Sequence, residues 1–252
     1  MLNFRVEGEG IAIVFLHGFL ESISMWDYLP LHELQCKKIF IDLPGHGKSE
    51  LNANFDAPSL EFFADEVLRV LHHLKIDAFS VVGHSMGGYV ALILKHKVPG
   101  CDKVVLLNSN FWSDSERKKK DRVRMADIAF KAKKILINEA IPNLFGNPAD
   151  FKEEIDKLKS EAMEMSSEAI AYTSLAMRGR TDFSDEVNSK PADYFIIHGE
   201  NDRLIQLEEI TSKTKDHSQL YFITNAGHMA HIENTQTIAG ILTVISKYFK
   251  AQ

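Results

Sequence analysis

The sequence predicts an α/β fold, in which a mostly parallel, doubly wound sheet carries a helical insertion. Short apolar runs rich in β-branched residues alternate with amphipathic stretches along most of the 252-residue chain. This pattern is typical of parallel strands that helices cover on both faces. The alternation stops over residues 111–190, which are rich in Lys, Glu, Met and Ala. The change indicates a core of residues 1–110 and 191–252 that is interrupted by helices.

Six apolar runs are predicted to be buried strands. They cover residues 11–16, 38–42, 78–83, 103–107, 193–197 and 219–223. Right-handed crossovers between parallel strands place the loops that follow them along one edge of the sheet. Open α/β sheets bind ligands at that edge, so the functional site is expected there.

Helices are predicted from the spacing of apolar residues. In the core they cover residues 58–75, 86–97 and 234–249, and in the insertion they lie near residues 114–138, 148–165 and 166–178. Pro58 suits the first turn of the first helix, because proline lacks an N–H that this turn leaves unpaired.

The insertion contains a strongly basic segment. Residues 117–134 hold nine basic and two acidic residues, a net charge of +7. One interpretation is the solvated face of an amphipathic helix. Its apolar side would then be formed by Val123, Ala126, Ile128, Phe130 and Ile135. The other interpretation is that this charge attracts an anionic substrate.

Composition narrows the function classes. Hydrophobic residues make up 45% and charged residues 25% of the chain, as in ordinary globular domains, and the net charge is −6. No basic excess suggests binding to nucleic acid or to a membrane surface. No apolar run approaches the ~18 residues of a spanning helix. Because the N-terminus shows no signal-peptide pattern, a cytoplasmic protein is expected.

No cofactor or metal is expected from the motifs. The two cysteines, Cys36 and Cys101, lie far apart and are interpreted as reduced thiols. No cluster has the spacing of metal ligands, and neither a dinucleotide-binding nor a P-loop motif occurs. The oligomeric state stays open between a monomer and a homodimer.

The most informative motif is Gly-x-Ser-x-Gly at residues 83–87. An apolar run leads into it and a helical pattern follows, so Ser85 is predicted on a sharp strand-to-helix turn that exposes a nucleophile. Side chains at positions 83 and 87 would collide there, which explains the two glycines. The helix that follows directs free N–H groups, including that of Met86, toward the space in front of Ser85 Oγ.

A serine nucleophile needs a base, and the base needs a carboxylate to orient it. His228 follows the predicted strand 219–223, and Asp202 follows the predicted strand 193–197. Both therefore lie at the same sheet edge as Ser85. The chain order Ser, Asp, His is the one expected of an α/β-hydrolase.

Together these motifs resemble the α/β-hydrolase superfamily, and the resemblance covers nearly the whole chain. Further matching segments are His-Gly after a strand at residues 13–19, Asp-x-Pro-Gly-x-Gly-x-Ser at residues 42–49, His-Gly-x-x-Asp at residues 198–202 and Gly-His at residues 227–228. The resemblance implies the fold named for this superfamily, with the insertion at residues 111–190 as a helical cap over the site.

The resemblance also implies roles for individual residues. Ser85 would be the nucleophile, His228 the base and Asp202 its orienting acid. The backbone N–H groups of Phe19 and Met86 would form the oxyanion hole. Serine at the nucleophile position argues against the dehalogenases and epoxide hydrolases of the superfamily, which use a carboxylate.

The expected reaction is acyl transfer to water, most simply hydrolysis of a carboxylic ester of a small molecule. The same triad also serves thioesterases, amidases, carbon–carbon bond hydrolases and a lyase of menaquinone synthesis, and some members of the superfamily are small-molecule receptors. These alternatives stay open because the cap, which selects among substrates, cannot be interpreted from one sequence.

Other polar residues near these motifs are interpreted as structural. Among the histidines, His17, His46 and His84 are expected to brace loops, with solvent exposure as an alternative for His84, and His231 is a rival for the role of His228. Asp42 and Glu200 are rivals for the role of Asp202. Trp112 and Phe111 either line the substrate pocket or pack the base of the insertion.

Overall fold

A computed structural model describes residues 1–250 and contains a seven-stranded sheet. The strands are β1 (Phe4–Glu7), β2 (Ala12–Leu16), β3 (Lys37–Ile41), β4 (Phe79–His84), β5 (Cys101–Leu107), β6 (Tyr194–Gly199) and β7 (Leu220–Ile223). Their order is β1-β3-β2-β4-β5-β6-β7. β1 runs antiparallel to β3, and all other neighbours are parallel. The predicted α/β class with a mostly parallel sheet is confirmed.

The helices of the described residues follow the strands. They are α1 (Leu60–His73), α2 (Met86–Lys97), α3 (Glu116–Ala140), α4 (Lys152–Glu164), α5 (Ser167–Arg178), α6 (Ser184–Ser189), α7 (Leu207–Lys213), α8 (Ala230–Glu233) and α9 (Thr235–Ile245). α3 to α6 lie in the chain between β5 and β6. No helix of residues 1–250 has the length and apolarity needed to cross a bilayer.

Each central strand buries both of its faces, which explains the continuous apolar runs. In β2, Val14 and Leu16 pack with α1 and α2 in one apolar cluster. Ile13 and Phe15 point to the other face and pack with Trp26 and with α9. The sheet is therefore a layer between two helical layers, as the sequence predicts.

Three element boundaries differ from the prediction. α1 begins at Leu60, and Ser59 is its N-cap, so Pro58 lies before the helix and not in its first turn. β1 was not predicted, because it is a half-exposed edge strand of four residues without a continuous apolar pattern. The expected C-terminal helix of residues 234–249 ends early, because α9 covers Thr235–Ile245, and the short helix α8 before it was not predicted.

The expected apolar side of α3 is wrong in part. Val123, Phe130 and Ile135 are 45%, 60% and 58% exposed. The helix buries Ala126 as expected, together with Ala129 and Ile137, which were not predicted. Small alanine side chains allow α3 to approach α5, against which it packs. The backbone also leaves helical geometry at Ala132 (φ −154°, ψ 46°), so one stripe cannot continue through the whole helix.

The insertion leaves and re-enters the core at one place. The Phe183 N–H donates to the Phe111 carbonyl at 2.8 Å, which joins its two ends. Elsewhere in the core, Cys36 and Cys101 are buried and free, as expected. Burial raises the pKa of the two thiols to about 11 and about 12.

Candidate active site

Ser85 lies at the turn between β4 and α2, with φ 49° and ψ −115°. This backbone conformation is uncommon for a residue other than glycine. A Cβ on Gly83 would lie 2.4 Å from the Gly87 carbonyl, and a Cβ on Gly87 would lie 2.3 Å from the Leu16 carbonyl oxygen. The predicted steric need for both glycines is confirmed. The Ser85 N–H donates to the Leu107 carbonyl at 3.0 Å, which fixes the turn to β5.

The structure brings Ser85, His228 and Asp202 together. Ser85 Oγ lies 2.8 Å from His228 Nε2, and His228 Nδ1 lies 2.8 Å from Asp202 Oδ2. Because Asp202 accepts a hydrogen bond from Nδ1–H of His228, Nε2 of the neutral ring carries no proton. Nε2 can therefore accept a hydrogen bond from the Ser85 hydroxyl. The loop of His228 is fixed in turn, since its N–H donates to the Leu144 carbonyl at 2.8 Å.

Hydrogen bonds hold the Asp202 carboxylate in one orientation. Its Oδ1 accepts the N–H groups of Leu204 at 2.8 Å and Ile205 at 3.1 Å. Burial alone would raise the pKa of Asp202, but the charge and hydrogen bond of His228 outweigh burial and lower it. The carboxylate is therefore ionised at neutral pH and available to stabilise a protonated His228.

Asn108 is a site residue that the sequence analysis missed. It directly follows β5 with φ 43°. Its Nδ2 donates to Asp202 Oδ2 at 3.1 Å and to the Gly227 carbonyl at 3.0 Å. Asn108 thus joins the acid loop to the histidine loop. The sequence contains one indication of this role, since Asn108 directly follows a predicted strand. Asp202 was also predicted from its position after a strand.

Phe19 and Met86 are the residues whose backbone N–H groups are predicted to form the oxyanion hole. Met86 begins α2 directly after the serine, and Phe19 lies on the loop after β2 and lines the same cavity as Ser85. Neither N–H donates to an acceptor within residues 1–250. Two free donors at these positions are what an oxyanion hole requires.

A buried ion pair lies behind the nucleophile, between Glu21 and His84. Glu21 Oε2 accepts the Gly18 N–H at 2.6 Å and lies 3.0 Å from His84 Nδ1. His84 Nε2 lies 2.9 Å from the His228 carbonyl. Both ring nitrogens face acceptors, so both must carry a proton and the ring is an imidazolium. The role of Glu21 was not predicted.

The protonation of this pair follows from its surroundings. Burial disfavours the charged ring, yet the Glu21 carboxylate and the hydrogen-bond acceptors raise the pKa of His84. Burial also disfavours the carboxylate, but His84 holds the pKa of Glu21 at about 2. His84 is fully buried, which agrees with the prediction that it braces loops and rules out the alternative that it is exposed to solvent. With Glu21, it ties the loop after β2 to the loop of His228.

The other histidines do not contact Ser85. His17 Nδ1 donates to the Gly18 carbonyl at 2.8 Å, and its Nε2 accepts the Leu43 N–H at 2.9 Å, so it braces two loops. His46 Nδ1 donates to the Pro44 carbonyl at 3.0 Å. His231 is buried beside His84, at 4.6 Å between ring centroids, and burial lowers its pKa well below the usual value.

The two rival acids are occupied elsewhere. Asp42 accepts hydrogen bonds from Asn3 at 2.7 Å, from the Ile23 N–H at 2.8 Å and from the Lys48 N–H at 3.0 Å. It therefore organises the loop after β3. Glu200 is exposed, and its described hydrogen bond runs from its backbone N–H to the Ile223 carbonyl.

A cavity of about 400 Å³ opens in front of Ser85 and His228. Most of its lining is apolar and comes from the loop after β2, from both halves of α3 and from the loop after β6. These apolar residues include Phe19, Leu20, Met125, Leu136, Leu144 and Leu204. The break at Ala132 lets the two halves of α3 form different walls of the cavity. Its polar lining residues include Asp114 and Arg122, which are hydrogen-bonded to each other.

Trp112, a candidate for substrate contact, does not line this cavity. It is buried against Phe111, with 5.2 Å between ring centroids, and Lys213 Nζ lies 5.2 Å from its ring centroid. Its carbonyl accepts from Arg180 Nε at 3.0 Å. This position corrects the pocket assignment and fits the alternative, that Trp112 packs the base of the insertion.

The sheet order and the strained serine turn define the α/β-hydrolase fold class. The chain belongs to the alpha/beta hydrolase family, whose sequence model matches residues 13–241. Family membership supports the activity of a hydrolase-fold enzyme.

Similar proteins include enzymes with different reactions. The chain is 27% identical over 250 residues to 2-succinyl-6-hydroxy-2,4-cyclohexadiene-1-carboxylate synthase of Salmonella paratyphi A, and the match covers 93% of each protein. It is 26% identical to the dihydrolipoyllysine-residue acetyltransferase component of an acetoin cleaving system from Pseudomonas putida. That match covers 93% of this chain but 63% of the longer relative.

Among solved structures, a thermophilic esterase from Thermogutta terrifontis, determined with malate bound, superposes with a TM-score of 0.87. The two proteins are 25% identical, and the superposition covers 99% of this chain and 94% of the esterase.

Proposed function

We propose that the protein is a serine hydrolase that cleaves a carboxylic ester of a small molecule through an acyl-enzyme. The observation that carries this proposal is the unbroken chain of hydrogen bonds from Ser85 through His228 to Asp202, with both distances at 2.8 Å, at the wall of a mostly apolar cavity. The likeness to an esterase structure over nearly the full chain supports it.

Each residue has a defined part in the proposed reaction. His228 accepts the Ser85 proton as Oγ attacks the ester carbonyl carbon, and Asp202 stabilises the imidazolium that forms. The Phe19 and Met86 N–H groups donate to the oxyanion of the tetrahedral intermediate. His228 then protonates the departing alcohol. Finally, His228 activates a water molecule that hydrolyses the acyl-enzyme and regenerates Ser85.

The second candidate is carbon–carbon bond chemistry on the same triad, including a lyase that uses it for proton abstraction. The similarity to the Salmonella synthase, over 93% of both chains, favours testing it. A panel of p-nitrophenyl esters, thioesters and vinylogous diketones separates the two reactions. A receptor function predicts labelling of Ser85 by a fluorophosphonate without turnover of any member of the panel.

Ser85→Ala tests the nucleophile. We expect ester turnover to fall by at least about 10⁴-fold, because the acyl-enzyme cannot form. Fluorophosphonate labelling should disappear as well, while the far-UV circular dichroism spectrum stays unchanged. Ser160→Ala, on the exposed face of α4, is the matched control and should keep full turnover. Turnover retained in Ser85→Ala would show that another group is the nucleophile.

A further inference from the structure

A buried guanidinium holds Asp114, one of the polar residues that line the cavity. Arg180 is 6% exposed, and each of its three side-chain nitrogens faces an acceptor. Its Nε donates to the Trp112 carbonyl, its Nη1 donates to Asp114 Oδ1 and its Nη2 lies 3.4 Å from Asn110 Oδ1. The group also lies over the Tyr89 ring, 4.2 Å from the centroid. Arg180 is buried and does not line the cavity, so its role is to orient Asp114.

Arg122 shares the same carboxylate but keeps two free nitrogens. Its Nε donates to Asp114 Oδ2 at 3.1 Å. Within residues 1–250, neither Nη1 nor Nη2 has a hydrogen-bond acceptor, and neither is a buried nitrogen without a partner. Both nitrogens are therefore accessible to solvent. Arg122 lines the cavity that contains Ser85 and His228. Because Nε already donates to Asp114, Nη1 and Nη2 form the edge of the guanidinium that remains for a ligand. This edge can bind a carboxylate with two hydrogen bonds.

The charge balance around Asp114 leaves a positive excess. The single charge of Asp114 is divided between the guanidinium groups of Arg122 and Arg180. Lys118 also lines the cavity, and its Nζ donates to the Leu204 carbonyl at 3.2 Å without a carboxylate within 4.0 Å among the described residues. The negative charge that opposes this positive excess is that of Asp121, an exposed residue that lines the cavity. Glu21 is neutralised by His84.

We propose that Arg122 is a specificity residue and that the preferred substrate carries a carboxylate in addition to the scissile ester. The carboxylate binds the Nη1–Nη2 edge of Arg122, and an aliphatic chain packs against apolar lining residues such as Met125 and Leu136. Asp114 and Arg180 hold Arg122 in position. This inference rests on the proposed ester hydrolysis and names the class of ester.

The test compares esters that differ in one charged group. One pair is monomethyl suberate and dimethyl suberate, which places the carboxylate on the acyl side. The other pair is 4-acetoxybutanoate and butyl acetate, which places it on the alcohol side. We expect kcat/KM for the anionic member of at least one pair to exceed that of the neutral member by about 10- to 100-fold, as for a charge-assisted bidentate contact.

Two variants distinguish contact from long-range attraction. Arg122→Gln should lower the anionic-to-neutral ratio of kcat/KM by about 10- to 100-fold, mainly through KM. Arg124→Gln removes the same charge from the same helix at an exposed position outside the cavity, and it should change the ratio by less than about twofold. Fluorophosphonate labelling of Ser85 in both variants shows that the site is folded.

Each failure has a distinct meaning. Equal kcat/KM within both pairs, or an equal loss in the two variants, would overturn the role of Arg122 while leaving ester hydrolysis intact. Absence of Ser85-dependent turnover of every ester would instead overturn the proposed function.

Discussion

Single residues connect the loops of the candidate site. The imidazolium of His84 bridges Glu21, which also accepts the Gly18 N–H in the loop after β2, and the backbone carbonyl of His228. Because His84 directly precedes Ser85, one ion pair fixes all three loops to one another. A buried pair of this kind contributes little net free energy when intact, but leaves an uncompensated charge when one partner is removed.

Glu21→Gln should therefore destabilise the fold strongly. We expect the free energy of unfolding in urea to fall by about 3 kcal/mol or more, because His84 loses its counterion in a fully buried position. Asp127→Asn is the control, since it removes the acid of the exposed Lys131–Asp127 pair and should cost about 0.5 kcal/mol or less. Equal losses in the two variants would contradict a structural role for the Glu21–His84 pair.

The candidate triad could be predicted because each member lies in a motif on the segment that follows a predicted strand. Asn108 also follows a strand, but neither it nor Glu21 stands in such a motif, so their partners could not be predicted. Glu21 and His84 are 63 positions apart, and Asn108 and Asp202 are 94 positions apart. Their hydrogen bonds depend on how loops meet after folding, and no local pattern in the sequence encodes that meeting.

At the scale of the elements, α3 is held at its break by a lysine. Lys133 follows Ala132, and its Nζ donates to the carbonyls of Met163 and Met165, both at 2.8 Å. These carbonyls lie at the C-terminal end of α4, where a cation satisfies unpaired acceptors and interacts favourably with the helix dipole. The Ser167 hydroxyl donates to the Ala129 carbonyl just before the break, at 2.7 Å.

Lys133→Met should loosen the packing of α3 on α4. We expect a loss of about 1–3 kcal/mol in unfolding free energy, because two carbonyls lose a charged donor. Amide hydrogen exchange should increase in α3 and α4 and not in β4 or β5. Lys134→Met removes the neighbouring exposed lysine and should have little effect. A uniform increase in exchange across the whole chain would show that Lys133 does not act locally.

Elements buried on both faces were predictable, and half-buried ones were less so. Strands such as β2 and β4 have continuous apolar sequences because helices cover both sides. The edge strand β1 lacks that pattern. The predicted apolar side of α3 was wrong in part, because Val123, Phe130 and Ile135 stay exposed, whereas Ala126, as predicted, and Ala129 are buried in the helix that packs against α5. Side-chain size at a close contact, and not hydrophobicity alone, decides which face is buried.

For the whole molecule, buried histidines determine the response to acid. Burial lowers the pKa of His17, His198 and His231, and it lowers the pKa of His46 to about 3. The unfolded chain takes up protons at these sites near pH 6.5, whereas the folded chain does not. Stability is therefore lost as pH falls below about 6.5. His84 acts in the opposite direction, since its raised pKa gives stability that is lost only as pH rises.

The free energy of unfolding should decrease between pH 7 and pH 5. A histidine that stays neutral in the fold, such as His46, contributes about 2 kcal/mol of this decrease. Urea unfolding of His46→Gln should thus show a pH dependence that is smaller by about that amount. His72→Gln, at an exposed position, should show the same dependence as the unchanged protein. Identical pH dependence in all three proteins would contradict the assignment to His46.

The hydrogen bond between Phe183 and Phe111 has a consequence for how such a chain can diversify. The polypeptide leaves the sheet near Phe111 and comes back beside it at Phe183, and we call this contact the neck. Segments between these two residues can therefore be lengthened, shortened or exchanged while the strands keep their order. Arg122 lies beyond the neck, whereas Ser85, Asp202 and His228 lie before or after it. The residue proposed to select the ligand and the residues proposed to break the bond are thus encoded in separable stretches, and evolution or engineering can alter the first while inheriting the second intact.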